Sequence, residues 1–191
     1  MLVRLRGFRR NTRLLDYVVL AVLLVSVALV AGCEPAPQYS LWGFTWESVD
    51  PLYYHFDTGA GDNTQLAFSA ALADWNATST PVNFQPSSDD FVVTLGEEDD
   101  PAANWDGITT VVQHDGWTFL QVEAVLNAHY TDSYPTLDRR AVACHELGHV
   151  LGLDEFDGEV LMNQQTAVRF FELGIYAPQQ GDIDGVNAMY G

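Results

Sequence analysis

The stretch His145-Glu146-Leu147-Gly148-His149 has the residue types and the spacing of a metal-assisted hydrolase. On a helix, positions four apart share a face, so His145 and His149 can aim two imidazoles at one metal ion. Glu146 projects beside them, within reach of a water held on that metal, and can take its proton. Gly152 stands where the helix should stop, and glycine most readily takes the left-handed conformation that reverses a chain there. Three residues on, the returning chain offers Glu155 as a third ligand. Carboxylate oxygen is an ordinary zinc donor, and two histidines with a glutamate form a known catalytic set. Asp154 would compete if the loop shifted by one residue, and Asp157 is a more distant option. An anionic ligand cancels one positive charge, so the metal should acidify its water less than a three-histidine site would.

The run from His145 to Glu155 resembles the metzincin signature His-Glu-x-x-His-x-x-Gly-x-x-His at every position but the last, where Glu155 stands for His. Glu159-Val160-Leu161-Met162-Asn163 resembles a methionine turn with Met162 as its methionine. The segment from Gly181 to Gly191 is similar to the last helix of a matrixin catalytic domain. The resemblance covers roughly residues 40–191, and snapalysins, with Asp at the third ligand position, give a carboxylate there a precedent. It implies an α+β metzincin (zincin-like) fold: a twisted five-stranded mixed sheet with three helices, among them the zinc helix and a C-terminal helix. It further implies one catalytic Zn²⁺, with His145, His149 and Glu155 as ligands and Met162 as an apolar floor. The activity implied is endoproteolysis of a protein or peptide substrate laid along an edge strand, with Glu146 as general base. A catalytically impaired surface binding protein of the same fold is the alternative. The intact Glu146 argues against it, since a general base is dispensable once catalysis is lost.

The elements that must position these residues are legible from pattern. Pro51–Phe56 reads as a first strand, and Asn63–Asn76 as a helix capped by Asp62 or Asn63, with Leu66, Ala67, Ala70, Ala71 and Trp75 at helical spacing. Val82–Phe84, Phe91–Leu95, Ile108–Gln113 and Phe119–Leu126 read as further strands, and the resemblance implies Ile108–Gln113 as the edge. The zinc helix should start near Thr136 or Asp138, because Pro135 disfavours helix at Tyr134 and Thr136 makes a good N-cap. Cys144 points about 100° away from His145 and is expected in the core. The loop Asn163–Arg169 is expected to shape the pocket for the residue after the cut, and it has neither the Pro nor the Tyr common in matrixins.

The chain divides into three parts. Residues 1–33 carry five Arg followed by an apolar run, Tyr17–Val30, shorter than the about 20 residues of a spanning helix. The run ends in Val30-Ala31-Gly32-Cys33, which resembles a bacterial lipobox with Cys33 as the lipidated residue, an ordinary signal peptide or an uncleaved anchor being the alternative. Residues 34–40 read as a tether too short for an inhibitory propeptide, and residues 41–191 as one matrixin-like catalytic domain. The protein is thus expected to be exported, as a surface lipoprotein held to the membrane by its lipid or as a secreted monomer. All 8 basic residues are Arg, and only Arg139, Arg140 and Arg169 follow Cys33, whereas only Asp16 of the 26 acidic residues precedes it. Such a surface repels nucleic acid and anionic membranes. Asp89-Asp90 and Glu97-Glu98-Asp99-Asp100 make Ca²⁺ possible but lack the spacing of a dedicated loop. His55, His114 and His129 are scattered, unlike the dense His/Asp cluster that holds a second, structural zinc in animal matrixins.

Overall fold

The computed structural model describes residues 36–191. The basic start, the apolar run and Cys33 lie outside the described residues. Five strands form one mixed sheet: β2 (Leu52–Phe56), β3 (Phe84–Pro86), β4 (Val93–Glu98), β5 (Gly107–Asp115) and β6 (Thr118–Asn127). Their order is β3-β2-β4-β6-β5. Only β5 runs antiparallel to its neighbour, with Ile108 opposite Val125 and Thr110 opposite Glu123, and it stands last in the order, so the expected edge strand is an edge. The fold is α+β, as the metzincin resemblance implies.

Helix α1 (Asp62–Asn76) buries Thr64, Ala67, Phe68, Ala71, Leu72 and Trp75, a stripe at three- and four-residue spacing. That stripe meets α3 (Thr136–Val150), which lies against the sheet. The Trp75 indole donates to the Cys144 carbonyl at 3.0 Å, and Arg140 Nε donates to Asp74 Oδ2 at 2.6 Å. Cys144 is fully buried, as expected. A short α2 (Ala128–Thr131) precedes α3, a π-helical turn spans Val168–Leu173, and α4 (Gln180–Tyr190) closes the fold.

Several expectations need correction. Thr136 is the first helical residue of α3; Pro135 holds the cap position and offers no side-chain acceptor. Gly61 holds the cap position of α1, and no side chain caps it; Asn63 instead donates to Asp132 Oδ1 at 3.2 Å. The strand expected at Val82–Phe84 lies two residues later, because the parallel register puts Phe84 opposite Leu52 and Val82 belongs to the core. Too short to carry a periodicity, α2 and the π-helical turn were not anticipated.

The segment after α3 decides where the functional residues go. Gly152 has φ +97°, and a Cβ there would fall 2.6 Å from the Phe44 carbonyl oxygen, so both backbone angle and space require glycine. The chain then enters β7 (Leu153–Asp154), which pairs antiparallel with β1 (Ser40–Leu41). Residues at the junction of the expected tether and domain are therefore built into the fold: Ser40 pairs with Asp154 and the Gln38 carbonyl lies against Gly181 of α4.

Candidate metal centre

One turn of α3 separates His145 and His149, and both rings face the same cleft. Their centroids are 4.7 Å apart and the planes nearly perpendicular, at 89°. Each Nδ1 is tied to a carbonyl: His145 to Leu161 O and His149 to Leu153 O, both at 2.9 Å. An Nδ1–H held in this way leaves the Nε2 lone pair free and fixes the ring's direction. Trp42 stacks on His149 at 5.2 Å. The two Nε2 atoms converge on one oxygen, Glu155 Oε1, at 3.4 and 3.5 Å.

Glu155 thus stands where its sequence position suggested. Burial pushes its carboxyl pKa up, but the hydrogen bonds and charges of both histidines outweigh this and hold it at about 2. Burial likewise depresses His149, yet Glu155, Glu146 and the Leu153 carbonyl together raise it. Glu155 Oε2 is buried with no hydrogen-bond partner. A buried carboxylate oxygen left without a donor is expensive, and a cation between the three side chains would satisfy it. Their ligand atoms all lie within 4.8 Å of one another, and no other such group occurs among the described residues. Two imidazole nitrogens and a carboxylate oxygen are a zinc donor set, so the residues present fit that metal. Asp154 and Asp157 are not brought into this cluster: Asp154 Oδ1 instead accepts from the Glu155 amide at 2.8 Å.

Glu146, 4% exposed, lies on the same turn. Its Oε2 accepts from Thr109 Oγ1 of the edge strand at 2.7 Å. The neighbouring Gly107 is required by the close approach of strand and helix, since a Cβ there would fall 2.7 Å from Glu146 Oε1 and 2.8 Å from Val142 Cγ1. A cleft of about 650 Å³ opens over this group, lined on one side by Gly107, Ile108 and Thr109 and on the other by Gln164, Thr166 and Arg169.

The matrixin family model matches residues 45–191. The chain belongs to the matrixin family. Matrixins are zinc-dependent endopeptidases. No curated protein matches the chain. The remaining histidines of this matrixin lie elsewhere: His55 sits by Thr94 Oγ1 at 3.3 Å, His114 by the Gly116 carbonyl at 3.1 Å, and His129 by Asp99 at 3.5 Å.

Beneath α3, Met162 is 2% exposed and its sulfur packs against Gly148. Its turn is held from below by Asp182, 1% exposed. The carboxylate accepts from Leu161 N at 2.8 Å, Met162 N at 3.1 Å and Gln179 N at 2.7 Å, completing a capping box with Gln179. Because Leu161 also presents the carbonyl that orients His145, α4 reaches the cluster through one carboxylate. The three-residue spacing of Gln179 and Asp182 was the available signal. Asp182→Asn leaves one acceptor oxygen among three N–H donors, so it should cost about 2–3 kcal/mol of stability and weaken zinc binding, both readable by thermal melting with and without zinc. Unchanged zinc affinity in a folded Asp182→Asn protein would contradict this coupling.

Proposed function

We propose that this matrixin is an exported zinc endopeptidase in which His145, His149 and Glu155 hold the metal and Glu146 is the general base. The observation that carries this reading is the convergence of both Nε2 atoms on Glu155 Oε1, at 3.4 and 3.5 Å, beside a buried acid one residue along the same helix.

Zinc, when bound, supplies Lewis acidity toward the scissile carbonyl and the attacking water. The other contributions come from the chain. The outer edge of β5 is free to take an extended peptide by backbone hydrogen bonds, as edge strands do. Ile108 and Thr109 line the cleft, so a strand added there passes over Glu146. Thr109 Oγ1 occupies Oε2 of Glu146, which leaves Oε1 to take the proton of the attacking water. Glu146 then delivers it to the departing amine. Met162 and Trp75 pack against Gly148 of the same helix and, like Leu147, are 2% exposed or less, so the side of α3 away from the cleft is apolar core.

Export and lipidation rest on the basic start, the apolar run and Cys33. Labelled palmitate should enter the protein when it is expressed in a bacterium with a lipoprotein pathway and should be lost in Cys33→Ala; equal labelling of both would remove the anchor from this account. For the chemistry, Glu146→Gln keeps the side chain's size and removes the base. It should retain one zinc per chain and lose turnover of casein by about 10²–10⁴-fold. Retained proteolysis in that variant would sink the assigned role.

A further inference from the structure

Arg169 is the one arginine lining the cleft among the described residues. It is 1% exposed and among the largest fully buried side chains. A buried guanidinium normally has a carboxylate beside it, but the ion pairs of the described residues do not include Arg169. It donates to the Asn163 carbonyl and to Thr166 Oγ1 at 3.0 Å, and its Nε has no partner. The Phe170 ring lies 5.6 Å from its Cζ. Burial lowers its pKa, against the opposing pull of Asp106, Glu146, Glu155 and Asp182. A neutral side chain of similar length would serve the carbonyl and the hydroxyl without that desolvation.

The position of the guanidinium gives it another use. Its Nη1 lies 3.1 Å from His145 Nδ1, while Nε2 of the same ring faces Glu155. With a metal on Nε2 the ring's proton sits on Nδ1 toward Leu161 O, and in that tautomer the Arg169 N–H faces the ring as a charge, not as a hydrogen-bond donor. One imidazole therefore separates a fixed positive charge from the carboxylate that stands where a neutral histidine would otherwise be. Asp182 makes no hydrogen-bonded pair with Arg169: its oxygens accept from three backbone N–H groups, and its charge reaches the guanidinium only at a distance.

We propose that Arg169 is a positioning residue of the metal centre that restores, through His145, the positive charge cancelled by Glu155. With both in place the site has the same net charge as one built from three neutral histidines. Arg169 opposes metal binding by repulsion, and it maintains the field that polarises a substrate carbonyl in the cleft. The inference rests on the proposed ligand set.

The test is zinc affinity, measured by competition with a chromophoric chelator on the whole protein, for wild type, Arg169→Met and Arg169→Lys. Loss of the repelling charge should tighten zinc in Arg169→Met by roughly tenfold. At saturating zinc the same variant should lose kcat with KM little changed. Arg169→Lys keeps the charge and loses the fork, so its affinity should stay within about twofold of wild type even if its melting temperature falls. A merely structural role moves the first result the other way: a loosened Asn163–Arg169 loop would weaken zinc in Arg169→Met. Weaker or unchanged affinity there overturns the inference while leaving the ligand set standing. Should Arg169→Met not fold, Arg169→Lys decides, near-wild-type affinity supporting the charge role and clearly weaker affinity overturning it. A wild-type protein that takes up no zinc would overturn the ligand set itself, and the inference with it.

Discussion

The reversal of the chain between His149 and Glu155 is the constraint on which the rest depends. Six residues must end a helix, turn back beneath it and deliver a carboxylate to the imidazoles they have just left. Gly152, at φ +97° and hard against the Phe44 carbonyl, makes the turn possible. The Leu153 carbonyl, one step later, orients the His149 ring. The pairing of β7 with β1 then fixes the direction in which Glu155 leaves. A shift of one residue in that register would bring Asp154, which now lines the cleft apart from the imidazoles, onto them and turn Glu155 away.

Around the turn, the fold spends its buried polar groups on orientation. Leu161 O holds His145, Asp182 holds Leu161 and Met162, and Thr109 holds Glu146. Each link joins elements far apart in sequence, so the site is assembled only when α3, the edge strand and α4 are docked together. Low dielectric makes such links strong when complete and costly when broken. Arg169 is the exception, a buried cation answered by a carbonyl, a hydroxyl and an aromatic face.

Much of this was legible in the sequence because it is local. His145 and His149 share a face by helical geometry alone, and Gly152 announces a turn by its chemistry. The alternation from Phe119 to Leu126 and the apolar run from Phe91 to Leu95 indicated strands, and the sheet uses both. What escaped reading depends on distant partners. Nothing near Thr109 in sequence points to Glu146, and nothing near Asp182 points to the methionine turn. Caps were misplaced at Thr136 and Asp62, where a side chain suited to capping sits one residue inside the helix and the preceding Pro135 or Gly61 takes the position. Local preference was overruled there by where the incoming chain had to enter. The choice among Glu155, Asp154 and Asp157 depended on the β1–β7 register, which no local pattern reveals.

The central claim is the identity of the three groups that hold the metal. Zinc K-edge X-ray absorption on the purified, zinc-loaded protein reads it most directly. The account predicts scattering from two imidazole rings with a carboxylate oxygen in the first coordination sphere, the oxygen contribution changing in Glu155→Ala while both rings remain. A sphere with three imidazoles, or one that Glu155→Ala leaves unaltered, would contradict it.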